Sequence, residues 1–181
     1  MKDENYYKSH IASVLDFPKK GINFRDITTT LEDAEVFHNC IDDLAELVKD
    51  FVFNKIVCAD ARGFIFGAAL AYKLNKALVV ARKPNKLPRP GYGYSYTLEY
   101  GENTMLISQN SINENDRCIV VDDLLATGGS ALAMIELIKQ SKGIPVASLF
   151  YIELPDLNGR EVIKKGMKDI PILSLVKFEG E

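Results

Sequence analysis

The 181-residue sequence predicts an α/β fold, a central, mostly parallel sheet flanked on both faces by helices. Three observations predict it. Short apolar runs recur at 55–59, 77–81, 117–121, 146–152 and 172–176. Segments with helical spacing separate most of them. The runs are apolar at successive positions rather than alternate ones, as strands buried on both faces require. Crossovers in such a sheet are right-handed, and ligands bind beyond the carboxyl ends of its strands.

Taken in order, Tyr7, Ile11, Val14 and Leu15 recur at helical spacing, and Phe17-Pro18 ends that helix. Residues 19–27 read as irregular and lead into three threonines. Ala34, Phe37, Ile41, Leu44, Val48 and Phe51 form the apolar stripe of a longer helix. After the first core strand, 64–74 reads as a helix in which Gly67, Ala68 and Ala69 allow close packing. Residues 82–103, rich in Pro, Gly and Tyr, read as irregular. A helix over 129–141 precedes the last two strands.

Composition narrows the function. Hydrophobic residues make up 47%, enough for the core of one domain spanning 1–181. A net charge of -3 argues against a general nucleic-acid binder, so a phosphate ligand has to be held by local groups. No run approaches the ~20 apolar residues of a membrane span. The polar N-terminus leads into no apolar segment. Cys40, Cys58 and Cys118 are odd in number and lie in apolar segments, and neither His10 nor His38 completes a zinc spacing. Buried thiols and a cytoplasmic location are the expectation.

The richest segment is 118–131. Four apolar residues run into Asp122 and Asp123, and Leu124, Leu125 and Ala126 lead to Thr127, Gly128, Gly129 and Ser130 at a helix start. Backbone N–H groups and the helix dipole at such a start attract a phosphate, and Thr127 and Ser130 add hydroxyls. Two carboxylates repel that phosphate, so they need another partner, and the vicinal hydroxyls of a ribose donate to carboxylates. The pattern therefore describes a ribose 5-phosphate site. The plainer alternative is a helix cap with solvated charge. Neither a nucleotide-binding GxGxxG nor a phosphate-loop lysine is present.

This segment resembles the phosphoribosyl pyrophosphate motif of the type I phosphoribosyltransferases. Phe17-Pro18 with 21–27, Ala59–Phe64, and 82–88 with 96–101 are similar to the adenine phosphoribosyltransferase family in particular, in order and overall length. The resemblance implies the type I fold, with an N-terminal hood over 1–32 and a flexible lid and basic loop over 82–103. It implies pyrophosphate binding by Ala61, Arg62, Arg82, Lys83 and Lys86. An arginine after a core strand can fork two hydrogen bonds to phosphate, although an exposed turn would carry one too. Asn85 stands where the family commonly has glycine; asparagine tolerates left-handed backbone angles.

The resemblance implies adenine contacts by Asn23 and Arg25 and stacking by Phe24, with a core plug the alternative for that ring. By resemblance Glu99 is the catalytic carboxylate, exchanging a proton with the purine, and Tyr100 belongs to the lid. An edge hairpin with Tyr92, Tyr94 and Tyr96 packed on the surface is the alternative to a lid. The implied reaction converts phosphoribosyl pyrophosphate and adenine to AMP and pyrophosphate. Magnesium is held mainly through substrate rather than by protein ligands, and a homodimer is expected. Transfer to another purine such as xanthine, or sensing of phosphoribosyl pyrophosphate without catalysis, are the rival readings. No nucleic-acid or membrane partner is expected.

Overall fold

The apolar runs become the strands of one sheet. The computed structural model describes residues 1–98 and 101–180. In chain order the elements are α1 (Glu4–Lys8), β1 (Ala12–Leu15), β2 (Asn23–Asp26), α2 (Thr28–Leu31), α3 (Ala34–Leu47), β3 (Lys55–Ala59), α4 (Gly63–Leu74) and β4 (Ala77–Ala81). They continue with β5 (Gly91–Leu98), β6 (Gly101–Ser108), β7 (Arg117–Leu125), α5 (Gly129–Gln140), β8 (Ile144–Glu153), α6 (Gly159–Gly166) and β9 (Ile172–Lys177).

The main sheet has the order β4-β3-β7-β8-β9, with every neighbouring pair parallel. Successive residues of each strand feed opposite faces. Ile56, Cys58, Ile119, Val121, Leu149 and Tyr151 pack with Cys40, Leu44, Phe66 and Leu70 of α3 and α4. Val57, Ala59, Val79, Val120 and Phe150 pack with Met134, Ile135, Leu137 and Ile138 of α5 and with Met105 and Ile107 of β6. Each large side chain buried this way contributes about 1.5–3 kcal/mol. Cys40, Cys58 and Cys118 are free and buried. Burial pushes the Cys58 and Cys118 thiols up to about 12, which keeps them unreactive.

Topology positions the site. From β3 the chain moves outward to β4, whereas β7, β8 and β9 follow on the other side. The direction of winding reverses between β3 and β7, and the carboxyl ends of those strands open a crevice. Residues 60–62 and the end of β7 both lie there.

Three sequence expectations are corrected. The helix expected over Tyr7 to Leu15 stops at Lys8, and Ala12–Leu15 forms a ribbon with Asn23–Asp26, a stretch read as irregular. Thr29 supports this turn, since its hydroxyl donates to the His10 carbonyl and accepts from the Ala12 N–H. Tyr7 and Ile11 are buried as the spacing implied, but Leu15 is 75% exposed. Second, within 82–103 the hairpin given as the alternative replaces the irregular stretch: Gly91–Leu98 pairs antiparallel with β6, whose bounds the sequence reading did not place. Arg82 and Leu106 exchange two backbone hydrogen bonds of 2.8 Å, which ties this hairpin to the end of β4. Third, the strand expected to end at Val121 runs on to Leu125, so both aspartates are strand residues.

Candidate active site

The turn after β7 consists of Ala126, Thr127 and Gly128, and α5 begins at Gly129. Gly128 sits at φ +81°, and a Cβ there would overlap the Gly159 carbonyl, so the position needs glycine twice over. A cavity of about 70 Å³ opens over the turn, lined by Asp122, Leu124, Leu125, Ala126, Thr127, Gly128, Gly129, Ser130, Ala131 and Phe150. The first N–H groups of α5 have no partner inside the helix and carry its positive dipole end. Such a pocket suits a single anion.

The two aspartates lie beside it. Asp123 is 5% exposed, and its Oδ2 lies 2.8 Å from the Arg62 Nε in an ion pair. That approach lacks hydrogen-bond direction, leaving the buried oxygen without a donor among the described residues. Asp122 accepts the Asp123 N–H at 3.0 Å. A Cβ on Gly63 would come within 2.5 Å of Asp122 Oδ1, so glycine at the start of α4 makes room for this carboxylate. Burial raises the Asp122 pKa, and neighbouring Asp123 raises it further. Burial also raises Asp123, while Arg62 pulls it back. A buried carboxylate oxygen short of donors, as Asp123 Oδ2 is, gains by accepting a hydroxyl from a bound sugar.

Across the crevice, between β3 and α4, the Asp60–Ala61 peptide is cis. Ala61 is exposed and Arg62 half-buried. Arg82 lies 3.8 Å from Asp60 and donates to the Lys86 carbonyl at 3.1 Å. Asp60 Oδ1 has no donor among the described residues. Lys83 and Lys86 are exposed, and Asn85 holds φ +65°, a left-handed angle that asparagine accommodates.

The ribbon of β1 and β2 brings Phe24 to this crevice. Its ring stands edge-on to Phe17 at 5.1 Å, and the Arg62 guanidinium lies 5.2 Å from its centre. Arg25, next in the strand, takes the other face, where it donates to the Ser13 hydroxyl and lies 4.0 Å from the Phe178 ring centre. Its side chain is therefore not gathered with Phe24. Asn23 and Arg25 pair in register with Leu15 and Ser13 of β1. Asn23 Oδ1 is buried without a donor among the described residues. Glu99 and Tyr100 lie outside the described residues.

Two contributors escaped the sequence reading. Tyr96, on β5, reaches the phosphate turn, with its hydroxyl 3.3 Å from that of Ser130. Gly159 backs the turn from α6. Only the two-residue alternation of Tyr92, Tyr94 and Tyr96 could have signalled the first, by marking a strand with one face inward. Nothing in the sequence signalled the second.

A winding reversal, a phosphate turn and an acidic doublet at its edge define a class that handles ribose phosphates. The family model of the phosphoribosyl transferase domain matches residues 29–171. An adenine phosphoribosyltransferase of Brachyspira hyodysenteriae is 47% identical over 94% of this chain and 98% of its own length. The crystal structure of the adenine phosphoribosyltransferase of Thermoanaerobacter pseudethanolicus superposes with a TM-score of 0.91 at 42% identity, covering 96% of this chain and 99% of that one. The Saccharomyces cerevisiae enzyme, solved with an imino-altritol bisphosphate and adenine, superposes at 0.86 with 32% identity, covering 95% and 97%. The chain belongs to the adenine phosphoribosyltransferase family.

Among the described residues no group of three His, Cys, Asp or Glu side chains could hold a metal ion. Asp122 and Asp123 are two carboxylates, and one faces an arginine. Magnesium takes six oxygen ligands. Asp122 and Asp123 could supply part of such a six-oxygen shell.

Proposed function

We propose that this protein transfers the 5-phosphoribosyl group of phosphoribosyl pyrophosphate to adenine, giving AMP and pyrophosphate. The observation that carries the reading is the anion cavity at the start of α5, lined by half-buried Asp122 and flanked by buried Asp123, whose Oδ2 has no donor among the described residues. The bond from the anomeric carbon to a pyrophosphate oxygen breaks, and pyrophosphate leaves with the electron pair. The bond from that carbon to N9 forms, and adenine gives up a proton. Residues 124–130 hold the 5-phosphate, and Asp122 and Asp123 hold the ribose hydroxyls and favour positive charge developing on the sugar. Ala61, Arg62, Arg82, Lys83 and Lys86 receive the leaving group. Phe24 stacks on the base, the main chain at Asn23 and Arg25 reads its edge, and Glu99 takes up the purine proton. Bound magnesium supplies positive charge to pyrophosphate. The lid and basic loop over 82–103 closes the crevice to water.

A homodimer is supported by an apolar groove between α3 and α4 lined by Phe37, Ile41, Ala69 and Tyr72, with Tyr72 92% exposed. Leu78 and Val80 on edge strand β4 are exposed beside it in sequence. Three buried free thiols support a reducing, cytoplasmic location. No helix among the described residues is long and apolar enough to cross a membrane.

The test incubates purified protein with phosphoribosyl pyrophosphate, magnesium and each of adenine, hypoxanthine, guanine and xanthine. AMP and pyrophosphate from adenine are expected. Turnover of another base in preference would reassign the substrate, and ligand binding without turnover of any base would make the protein a sensor. Sedimentation of wild type and Tyr72→Asp tests the dimer, with a shift toward monomer expected for the variant.

A further inference from the structure

We infer that Arg160, clasped to buried Glu153, is a positioning residue for the 5-phosphate turn. The inference rests on the ribose 5-phosphate reading of that turn and extends it to residues outside the cavity lining. Glu153 ends β8, is 2% exposed, and pairs in register with Leu125, the residue before the turn. Arg160 donates from Nε to Glu153 Oε1 at 2.5 Å and from Nη2 to Oε2 at 2.7 Å, a two-pronged pair. Its Nη1 donates to the Ile172 carbonyl at 2.9 Å, and the Ser174 hydroxyl donates to Glu153 Oε2 at 2.5 Å. One guanidinium thus bolts α6 to the ends of β8 and β9.

What the bolt holds is the residue before it. A Cβ on Gly159 would overlap the Ala126 carbonyl and press on Leu125, and one on Gly128 would overlap the Gly159 carbonyl. The start of α6 is therefore the rear wall of the phosphate turn, with main chain against main chain and no side chain to absorb a displacement. Releasing Arg160 frees that wall, and the turn loses its backing. It also strips the neutralising charge from a buried carboxylate one strand away from where the phosphate is to sit. Both effects act on the phosphate end of the substrate and leave the base end alone.

The experiment compares wild type, Arg160→Ala, Arg160→Lys, Gly159→Ala and the charge-balanced double variant Glu153→Gln/Arg160→Met. Binding of ribose 5-phosphate and of adenine is measured by calorimetry, and steady-state constants are measured for both substrates. Arg160→Ala and Gly159→Ala should each raise the KM for phosphoribosyl pyrophosphate about tenfold, with kcat and the KM for adenine within about threefold. Arg160→Lys should recover part of the loss, and the double variant should bind ribose 5-phosphate more tightly than Arg160→Ala. If Arg160→Ala fails to fold, Gly159→Ala reads the same wall without touching the ion pair. The inference is overturned if Gly159→Ala and a folded Arg160 variant keep the wild-type KM for phosphoribosyl pyrophosphate, or if both substrates suffer equally. A wild type that binds no ribose 5-phosphate would instead overturn the functional reading beneath it.

Discussion

The turn after β7 and the loops after β3 and β4 face one crevice, but their polar groups are satisfied in opposite ways. The turn is complete without ligand. Its backbone is braced by Gly159, Gly128 takes the left-handed angle of the bend, and the first residues of α5 line a cavity. Across the crevice the cations are engaged with acids, Arg62 with Asp123 at 2.8 Å and Arg82 with Asp60 at 3.8 Å. Under the proposed function, a pyrophosphate bound at these arginines would have to exchange these contacts. One half of the site is preorganised, so little ordering is lost when phosphate enters. The other half holds its two arginines in pairs with acids, and in the proposed reaction Arg62 would turn to the leaving group as Asp123 turns to the ribose.

Breaking the exchangeable half should cost most. Arg62→Ala removes the cation that the proposed function assigns to the leaving group and also deprives Asp123 of its partner. A loss of about 10²–10³ in kcat/KM is expected in steady-state assays. Gly128→Ala attacks the preorganised half, where both the backbone angle and the space are lost. Calorimetry should show AMP binding weaker by about 10²-fold, or ~2.7 kcal/mol.

Asp122→Asn separates stability from function. Burial and the Asp123 charge hold the Asp122 pKa above its ordinary value. An acid with a raised folded pKa destabilises the fold when ionised, and that penalty is relieved as pH falls through the raised value. Asp122→Asn should therefore melt higher than wild type at neutral to alkaline pH, by about 2–4 °C if about 1 kcal/mol is recovered. The advantage should shrink as pH drops toward the ordinary carboxylate range, while activity falls at every pH. Glu153 has the opposite sign. Burial alone would raise it, but Arg160 and Ser174 hold it below the ordinary value, so its contribution is lost on acidification.

The smallest effect is expected where hairpin meets turn. Tyr96→Phe deletes one hydroxyl contact with Ser130. A loss of about 0.5–1 kcal/mol, or two- to fivefold in the KM for phosphoribosyl pyrophosphate, is expected. An unchanged value would separate the hairpin from the phosphate turn.

Much of this molecule was determined by the sequence alone. Continuous apolar runs specify strands buried on both faces, and glycines and small hydroxyl residues after a strand specify an anion turn, because both depend on neighbours along the chain. The five core strands and residues 122–130 were legible for that reason. Only tertiary structure decided that Ala12–Leu15 pairs as a strand rather than continuing a helix, and that Gly91–Leu98 is half of a hairpin. Hydrogen bonds to a distant segment outweigh local spacing in both cases. It alone decided that Arg25 turns to Phe178 while Phe24 faces Arg62, that Arg62 finds Asp123, and that Gly159 stands behind Gly128. Such pairings join positions tens of residues apart, and no local pattern encodes where two chain segments will touch.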